Sequence, residues 1–195
     1  MTDLNIVVAG DCEKHDFILV AAILLKGYYN NDVMIISDNH RHYQYFDGEV
    51  SGIQIRNAEP DVADRPDIVL YDWHHGYPEG LEDEQIVFAT SYERQAMEHV
   101  DKLLDQKHMP ALLVVIEEEC GLGLKYVDRY YPVITSKISY ITSAERRIDW
   151  VHDGRVNLKV DKDFAGAVND FLIEIGNVPK NDIKKLWQYA RKRGE

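Results

Sequence analysis

Acidic and histidine side chains gather in three short segments, each directly after an apolar run rich in valine or isoleucine. The segments begin at Gly10, Ser37 and Asp72. Imidazole and carboxylate groups are common protein ligands of Zn²⁺, Mn²⁺ and iron. One hypothesis is therefore a metal-dependent hydrolase that holds a divalent metal through a set of Asp and His side chains, namely Asp11, Asp38, His40, Asp72 and His74.

The acidic residues of the first segment also have a structural interpretation. Asp11, Glu13 and Asp16 precede or open an amphipathic helical pattern. Carboxylates at such a place cap free N–H groups and complement the helix dipole. The spacing of the metal candidates matches no metal motif that we can name, so we favour this capping role.

The apolar runs predict the elements that position these side chains. Runs rich in Val and Ile alternate with helical or loop stretches, which is typical of a parallel sheet with crossover helices. The predicted strands are Asn5 to Ala9, Val33 to Ser37, Asp67 to Tyr71, Gln85 to Ala89, Leu112 to Ile116 and Ile138 to Ile141. We therefore expect a three-layer α/β sandwich with a mostly parallel central sheet, in which ligands collect at the carboxyl ends of the strands.

The helices between these strands have recognisable ends. The first carries Phe17 on its apolar face and should stop at Lys26-Gly27, and Thr90-Ser91 should cap the second. Further helices are predicted over Glu93 to Gln106, Gly123 to Tyr131, Asp163 to Ile175 and from Asn181 onward. A short hairpin is expected to pair Tyr43 to Phe46 with Gly52 to Ile55.

Composition narrows the class of protein. The 195 residues fit one globular domain. The net charge of −12 argues against binding DNA or RNA, which requires neutralising phosphates with Lys and Arg. No apolar stretch approaches the roughly 20 residues that span a bilayer, and the N-terminus does not resemble a signal peptide. With only Cys12 and Cys120 present, we expect reduced thiols and a cytoplasmic location.

The C-terminal segment differs from the body in charge. Residues 180–195 carry a net charge of +4, which leaves −16 for residues 1–179, so we divide the chain into an α/β domain (1–179) and a basic amphipathic helix (180–195). One helical face is apolar and the remainder includes lysines: Ile183, Leu186, Trp187 and Ala190, with Lys184 and Lys185. Such a helix can contact an anionic membrane surface peripherally or an acidic partner. Packing on its own domain is the alternative that we favour slightly.

The order of these motifs resembles the MinD/ParA family of P-loop ATPases, including the CpaE-like proteins of pilus assembly systems. Val7 to Gly10 runs into a loop of the family's length, and Val33 to Asp38 is similar to its second strand with a terminal aspartate. Asp67 to Asp72 looks like the Walker B strand, and Thr90 to Glu93 is similar to the segment that opens the next helix. The resemblance implies the topology of the P-loop NTPases. In MinD a membrane-targeting helix occupies the same end of the chain.

The phosphate-binding motif of this family is degenerate here. A P-loop reads GxxxxGK[ST], with Lys on the terminal phosphates and a hydroxyl on Mg²⁺. Counted from Gly10, the second glycine, the lysine and the hydroxyl residue are replaced by His15, Asp16 and Phe17, and Asp11 takes the place of the family's additional lysine. The full segment is Gly10, Asp11, Cys12, Glu13, Lys14, His15, Asp16 and Phe17.

Charge then decides the expected cofactor. A like-charge contact at 4 Å costs about 4 kcal/mol at an effective dielectric of 20, whereas a helix N-terminus returns only about 0.3–1 kcal/mol. We therefore expect no ATP or Mg²⁺ and a pseudo-ATPase that acts through protein contacts, as an adaptor or positioning protein. An active family ATPase or a pilus or secretion component would be a fitting partner. A homodimer is plausible, although two acidic loops would repel each other.

A third hypothesis comes from Arg65 to Asp72, which is similar to the phosphoacceptor stretch of response-regulator receivers. An atypical receiver-like regulatory domain would carry a helix between that strand and the next. Only Trp73 to Glu84 is available, and it contains Pro78 and two glycines. The match is therefore local.

Overall fold

A central sheet of eight strands dominates the computed structural model, which describes residues 4–39, 42–44, 48–81, 84–146, 154 and 156–193. The strands lie in the order β3-β4-β2-β5-β1-β6-β7-β8, and only the β3/β4 pair is antiparallel. Their bounds are β1 Leu4–Ala9, β2 Val33–Ser37, β3 Glu49–Val50, β4 Ile53–Arg56, β5 Ile68–Trp73, β6 Gln85–Ser91, β7 Leu112–Glu117 and β8 Lys137–Ile141. The six predicted strands are confirmed, with their ends within two residues.

Helices cover both faces of the sheet and complete three layers, as the alternating pattern predicts. They are α1 His15–Tyr29, α2 Arg94–Asp105, α3 Leu124–Tyr130, α4 Lys162–Glu174 and α5 Lys180–Arg193, with a 3₁₀ turn at Val62–Asp64. Alternate residues of β1 separate the two cores: Ile6 and Val8 pack with α1, α4 and α5, whereas Val7 and Ala9 pack with α2 and α3. In the described part of the chain, no helix has both the length and the apolar character needed to cross a membrane.

One predicted helix end and one predicted cap are wrong. Helix α1 passes through Gly27 to Tyr29 and ends where Asn30 adopts the left-handed conformation (φ 52°) and its N–H donates to the Lys26 carbonyl. Thr90 and Ser91 belong to β6, and the N-cap of α2 is Glu93, whose N–H donates to the Ser91 hydroxyl at 3.2 Å. Because β6 pairs with β7 as far as Ser91, the polar residues Thr90 and Ser91 are part of the strand and do not act as the N-cap.

The predicted hairpin is half right. Its second strand is β4, but the strand that pairs with β4 is Glu49–Val50, reversed through Ser51 and Gly52 with positive φ. Tyr43 lies outside the sheet and is buried, and residues 45–47 fall outside the described residues. Because Ser51 and Gly52 both adopt positive φ, they form a tight two-residue turn, and the hairpin is therefore shorter than predicted.

The topology contradicts the receiver hypothesis. In the flavodoxin-like order of receivers, the third strand flanks the first strand on the side away from the second strand. Here β5, which ends in the Asp72 segment, lies between β1 and β2. No described residue between Trp73 and Gln85 is helical. The local similarity of Arg65 to Asp72 therefore reflects a generic buried strand with a polar exit.

Candidate functional site

The loop between β1 and α1 lies at the carboxyl edge of the sheet and is held tightly by its neighbours. The Gly10 N–H donates to the Trp73 carbonyl at 2.9 Å. A Cβ added at Gly10 would lie 2.0 Å from the Ala89 carbonyl oxygen on β6. This close approach of backbone to backbone accounts for the glycine, whatever the loop binds.

Lys14 is the central group of the site. Its side chain is fully buried, and its Nζ lies 2.8 Å from Asp72 Oδ1. The same ammonium donates to the carbonyls of Gly10 (2.8 Å) and Trp73 (3.2 Å). A phosphate-binding loop turns backbone N–H groups inward. Here the Gly10 carbonyl of the loop, together with the Trp73 carbonyl and the Asp72 carboxylate of β5, surrounds the Lys14 ammonium, so the site holds a cation that belongs to the chain itself.

Asp72 has a second partner on its other carboxylate oxygen. The Tyr43 hydroxyl donates to Asp72 Oδ2 at 2.6 Å. Burial alone would raise the pKa of Asp72, but the Lys14 ammonium, with His74 and the Tyr43 hydroxyl, lowers it below its usual value. Asp72 is therefore an ionised, buried carboxylate, as in a buried salt bridge.

Asp38 directly follows β2 and lies at the same carboxyl edge of the sheet. Its two oxygens accept the backbone N–H groups of His74 and His75, both at 2.7 Å. Burial works against ionisation, yet the hydrogen bonds from His74 and His75 outweigh it and lower the pKa of Asp38. The strand order β2-β5 makes this contact possible, because it places Ser37 beside Asp72.

The positions of these side chains test part of the metal hypothesis. Asp38, Asp72 and His74 do converge, with His74 Nδ1 3.4 Å from Asp38 Oδ1 and 3.7 Å from Asp72 Oδ1. Asp11 points elsewhere and accepts from Gln95 Nε2 at 2.5 Å, and His40 is outside the described residues. Among the described residues, no group of three His, Cys, Asp or Glu side chains could hold a metal ion. The Lys14 ammonium is instead the cation beside Asp72, and His74 lies between Asp72 and Asp38.

Asp16, which stands at the lysine position of the motif, is neutralised by a residue that the sequence analysis missed. Arg146 Nε lies 3.1 Å from Asp16 Oδ2, and both side chains are largely buried. The same guanidinium pairs with Asp161, donates to the Ile141 carbonyl and stacks 4.1 Å from the Phe164 ring centroid. Arg146 therefore compensates the negative charge of Asp16.

Capping by carboxylates holds for one of the three predicted residues. Asp16 Oδ1 accepts the Phe17 N–H at 2.8 Å, which satisfies one donor of the first turn of α1. The N-cap itself is Lys14 and makes no side-chain cap hydrogen bond. Asp11 and Glu13 precede the cap, and Glu13 is exposed.

Phe17 stands where the motif requires a metal-binding hydroxyl, and it faces the core. Its ring stacks on Tyr140 at 5.3 Å, and it meets Phe164 and Phe171 edge-on at 6.0 and 5.3 Å. The side chain is fully buried. This position of α1 therefore serves to attach the helix to β8 and α4.

Cys12 offers no nucleophile in this setting. Its side chain is buried, and burial raises the pKa of the thiol to about 12. A thiol attacks as its thiolate, which is scarce at neutral pH when the pKa is this high. Cys12 is therefore a small packing residue.

Two stacked imidazoles flank the site and give it a pH dependence. The rings of His15 and His42 are 4.1 Å apart, and burial lowers the pKa of both, that of His42 to about 4. Unfolding returns His42 to its ordinary value of 6.5, so the unfolded chain binds more protons as the pH falls. We expect its share of the free energy of unfolding to be lost between pH 6.5 and 4, by at most about 2 kcal/mol given partial screening.

Urea unfolding at pH 7.5 and pH 5 measures this loss. His42→Gln should shrink the difference between the two pH values, while His15 retains a share of it. Asp38 and Asp72 act in a lower window, because their depressed pKa values remove stability only as the pH falls below about 4. An unchanged pH dependence in His42→Gln would show that the stack does not titrate as described.

The apolar face of α5 is covered by the chain's own body. Ile183, Leu186, Trp187 and Ala190 are all buried, and Leu186 approaches Gly27 of α1. Trp187 Nε1 donates to Asn169 Oδ1 on α4 at 2.7 Å. Lys184 and Lys185 point to solvent. Membrane insertion of the apolar face would require α5 to leave α1, whereas the lysines are accessible without any movement.

Three groups of the site escaped the sequence analysis. The pattern gives Lys14 only as one member of the degenerate motif, although Lys14 is the central cation, and it gives Tyr43 only as part of a hairpin. Arg146 carries no local signal, because its partners lie on α1 and before α4. The sequence offers one hint of this packing, the apolar Phe17, because an apolar residue at the end of the motif indicates that this position faces the core.

Comparison with known proteins gives a distant structural similarity and no family match. No family model matches the chain, and no curated protein matches it. Among solved structures it is similar to a putative plasmid partition protein from Borrelia burgdorferi B31 bound to AMPPNP. The TM-score is 0.45 at 11% identity, over 97% of this chain and 99% of that chain.

Proposed function

We propose that this chain is a non-catalytic, MinD/ParA/CpaE-like protein that acts as an adaptor or positioning component through protein contacts. The observation that carries the proposal is the buried Lys14 to Asp72 ion pair, which fills the loop after β1 with a cation of the chain itself. An anionic ligand at that loop would meet inward-facing oxygens. Its binding would therefore require the loop to open and the ion pair to break.

The residues at the motif positions support the same proposal. His15 is stacked on His42, Asp16 is paired with Arg146, and Phe17 lies in the aromatic core. Each of these side chains already serves the fold. None can place an ammonium on a phosphate or a hydroxyl on Mg²⁺.

Nucleotide titration tests the proposal. A protein that binds ATP with ligand at 100 times its dissociation constant is stabilised by about 2.7 kcal/mol, which raises the Tm by roughly 5–10 °C at this size. We expect no change in Tm with about 5 mM Mg-ATP or a non-hydrolysable analogue, a concentration about 100 times a dissociation constant of about 50 µM. We also expect no heat of binding in calorimetry.

Magnesium chloride alone is the matched control, because it separates an ion effect from a nucleotide effect. A saturable, nucleotide-dependent rise in Tm would overturn the proposal. Release of phosphate from ATP above the rate of a protein-free blank would contradict the proposal that the chain is non-catalytic.

The charge of the chain indicates the partner that the adaptor would bind. The body is strongly acidic, and Glu118 and Glu119 are exposed after β7. A partner with a basic surface fits, and an active ATPase of the same family or a pilus or secretion component is the kind of protein that we propose. We place this function in the cytoplasm, with peripheral membrane contact through the exposed lysines of α5 as an additional proposal. Binding to a basic partner should weaken as salt is added.

A further inference from the structure

Strand β8 is the last strand of the sheet, so one of its two edges is open. Among the described strands it pairs only with β7, in parallel. The Ser136 carbonyl accepts the Leu113 N–H at 3.0 Å, and the Thr142 N–H donates to the Glu117 carbonyl at 2.8 Å. Along a strand, every second residue turns its backbone N–H and C=O groups toward the same neighbour. The even-numbered residues of β8 therefore bond to β7, and the odd-numbered residues face away from the sheet.

The backbone groups of these odd-numbered residues form what we call the open edge, which consists of Lys137, Ser139 and Ile141. The Ile141 carbonyl accepts from the Arg146 guanidinium at 2.8 Å, which closes one end. For the other N–H and C=O groups of the open edge, the described part of the chain provides no backbone partner. Unpaired groups in such a row are a template for an additional strand.

A groove of about 450 Å³ lies between the open edge and α4. Ile138 and Ala167 line it and are buried, and Gly166 leaves it open, because a Cβ added there would contact nothing within 4 Å. The Ser136 hydroxyl donates to the Glu174 carboxylate, so the last turn of α4 lies beside the start of β8. The groove therefore follows the strand, and an extended chain fits along it.

The groove is acidic on balance. Three carboxylates and two ammonium groups line it, namely those of Glu117, Asp163, Asp170, Lys137 and Lys162. One of these cations, Lys137, is paired with Asp128 at 3.4 Å. Asp163 and Asp170 are two helical turns apart on α4, and the exposed Glu174 continues the same face. Basic side chains that point toward α4 would therefore meet opposite charge along the groove.

We propose that the open edge binds an extended segment of a partner protein, which adds a strand to the sheet and carries Lys or Arg at every second position. Main-chain hydrogen bonds to Ser139 hold the segment, and alternate side chains point toward the acidic face of α4. The unpaired backbone groups select an extended chain, and the carboxylates select its charge. This inference rests on the proposed function, because it gives the adaptor a surface for a basic partner.

Fluorescence anisotropy with a labelled, end-blocked peptide of about eight residues, alternating Lys and Thr, tests the contact. We expect saturable binding to the full chain. The same peptide with N-methyl groups on its central backbone nitrogens keeps its charge but cannot donate to β8, so it should bind about tenfold more weakly. A Lys/Thr peptide that does not bind, or an N-methylated peptide that binds equally well, would overturn the proposal. The second result would show attraction to net charge alone.

Substitutions in the groove make the test specific to this place. Gly166→Gln puts a side chain into the groove and should weaken binding of the Lys/Thr peptide about tenfold, whereas Gly166→Ala should change it by less than about twofold. Gln and Ala are good helix formers, so both variants should fold. Equal binding by the two variants would contradict the assignment of the groove.

Charge removal needs a control of equal charge. Asp163→Asn with Asp170→Asn should also weaken binding about tenfold. Asp61→Asn with Asp64→Asn removes the same charge from exposed positions between β4 and β5, at the other end of the sheet, and should have little effect. If both pairs weakened binding equally, the acidic face of α4 would not be the site.

Hydrogen exchange measured by NMR reports on the strand itself. In the chain without peptide, the Ser139 amide should exchange faster than those of Ile138 and Tyr140, which bond to β7. Saturating Lys/Thr peptide should slow the Ser139 amide about tenfold or more. An exchange rate that peptide leaves unchanged would exclude strand addition. The nucleotide titration contains no peptide, so the contact and the proposed function give separate answers.

Discussion

Replacing Lys14 with methionine should lower the free energy of unfolding by about 3–5 kcal/mol, because it leaves Asp72 as a buried carboxylate without its cation. Both side chains of the pair are fully buried, and Nζ is 2.8 Å from Oδ1. The variant also releases the Gly10 and Trp73 carbonyls from their donor. Urea unfolding monitored by circular dichroism measures the change from the midpoint and slope.

The double variant Lys14→Met with Asp72→Asn distinguishes a lost ion pair from lost packing. Asn keeps an oxygen for the Tyr43 hydroxyl, and no charge remains buried, so much of the stability should return. Arg94→Met breaks an exposed ion pair with Glu98 and should leave the urea midpoint nearly unchanged, because exposed ion pairs contribute little to stability. If Lys14→Met cost no more than this surface control, the loop would not be organised around the Lys14 cation.

Replacing Phe17 with serine should cost a similar amount, about 3–5 kcal/mol, although it restores the residue type that the P-loop motif requires. The ring is fully buried against three aromatic side chains on β8 and α4, namely Tyr140, Phe164 and Phe171. Its loss leaves a cavity and buries a hydroxyl. Chemical denaturation gives the stability, and the same sample titrated with Mg-ATP should show no binding.

Phe17→Leu is the matched control, because it keeps an apolar side chain and should cost less than the serine variant. A Phe17→Ser protein that kept its stability would show that the aromatic contacts do not hold α1. One that gained saturable Mg-ATP binding would show that position 17 still faces a nucleotide pocket. Either result would weaken the proposal of a non-catalytic scaffold.

Both predictions concern a loop whose motif positions are used by the fold. In a working P-loop, the lysine and hydroxyl positions face the phosphates. In this chain the corresponding Asp16 is paired with Arg146 and Phe17 is packed in the core, while the cation comes from Lys14, two residues before Asp16. Restoring the motif one residue at a time should therefore damage stability before it creates a site.

Local pattern alone determined the architecture of this protein. Val- and Ile-rich runs such as Val33–Ser37 are buried on both faces of a parallel sheet, and a run of this kind signals its strand without reference to the rest of the chain. The same pattern placed the segments after β1, β2 and β5 at one edge, because parallel strands end together. It therefore predicted that these segments lie side by side, as they do in the structure.

Only the tertiary structure decided what the site contains. Arg146 meets Asp16 from 130 residues away, and Lys14 meets Asp72 because β5 lies beside β1. The direction in which a side chain points depends on which partners the strand order brings near, and a local charge pattern does not contain that information. The sequence supplied the charges of the loop, and the packing of distant elements determined which of them are neutralised and which residue fills the centre.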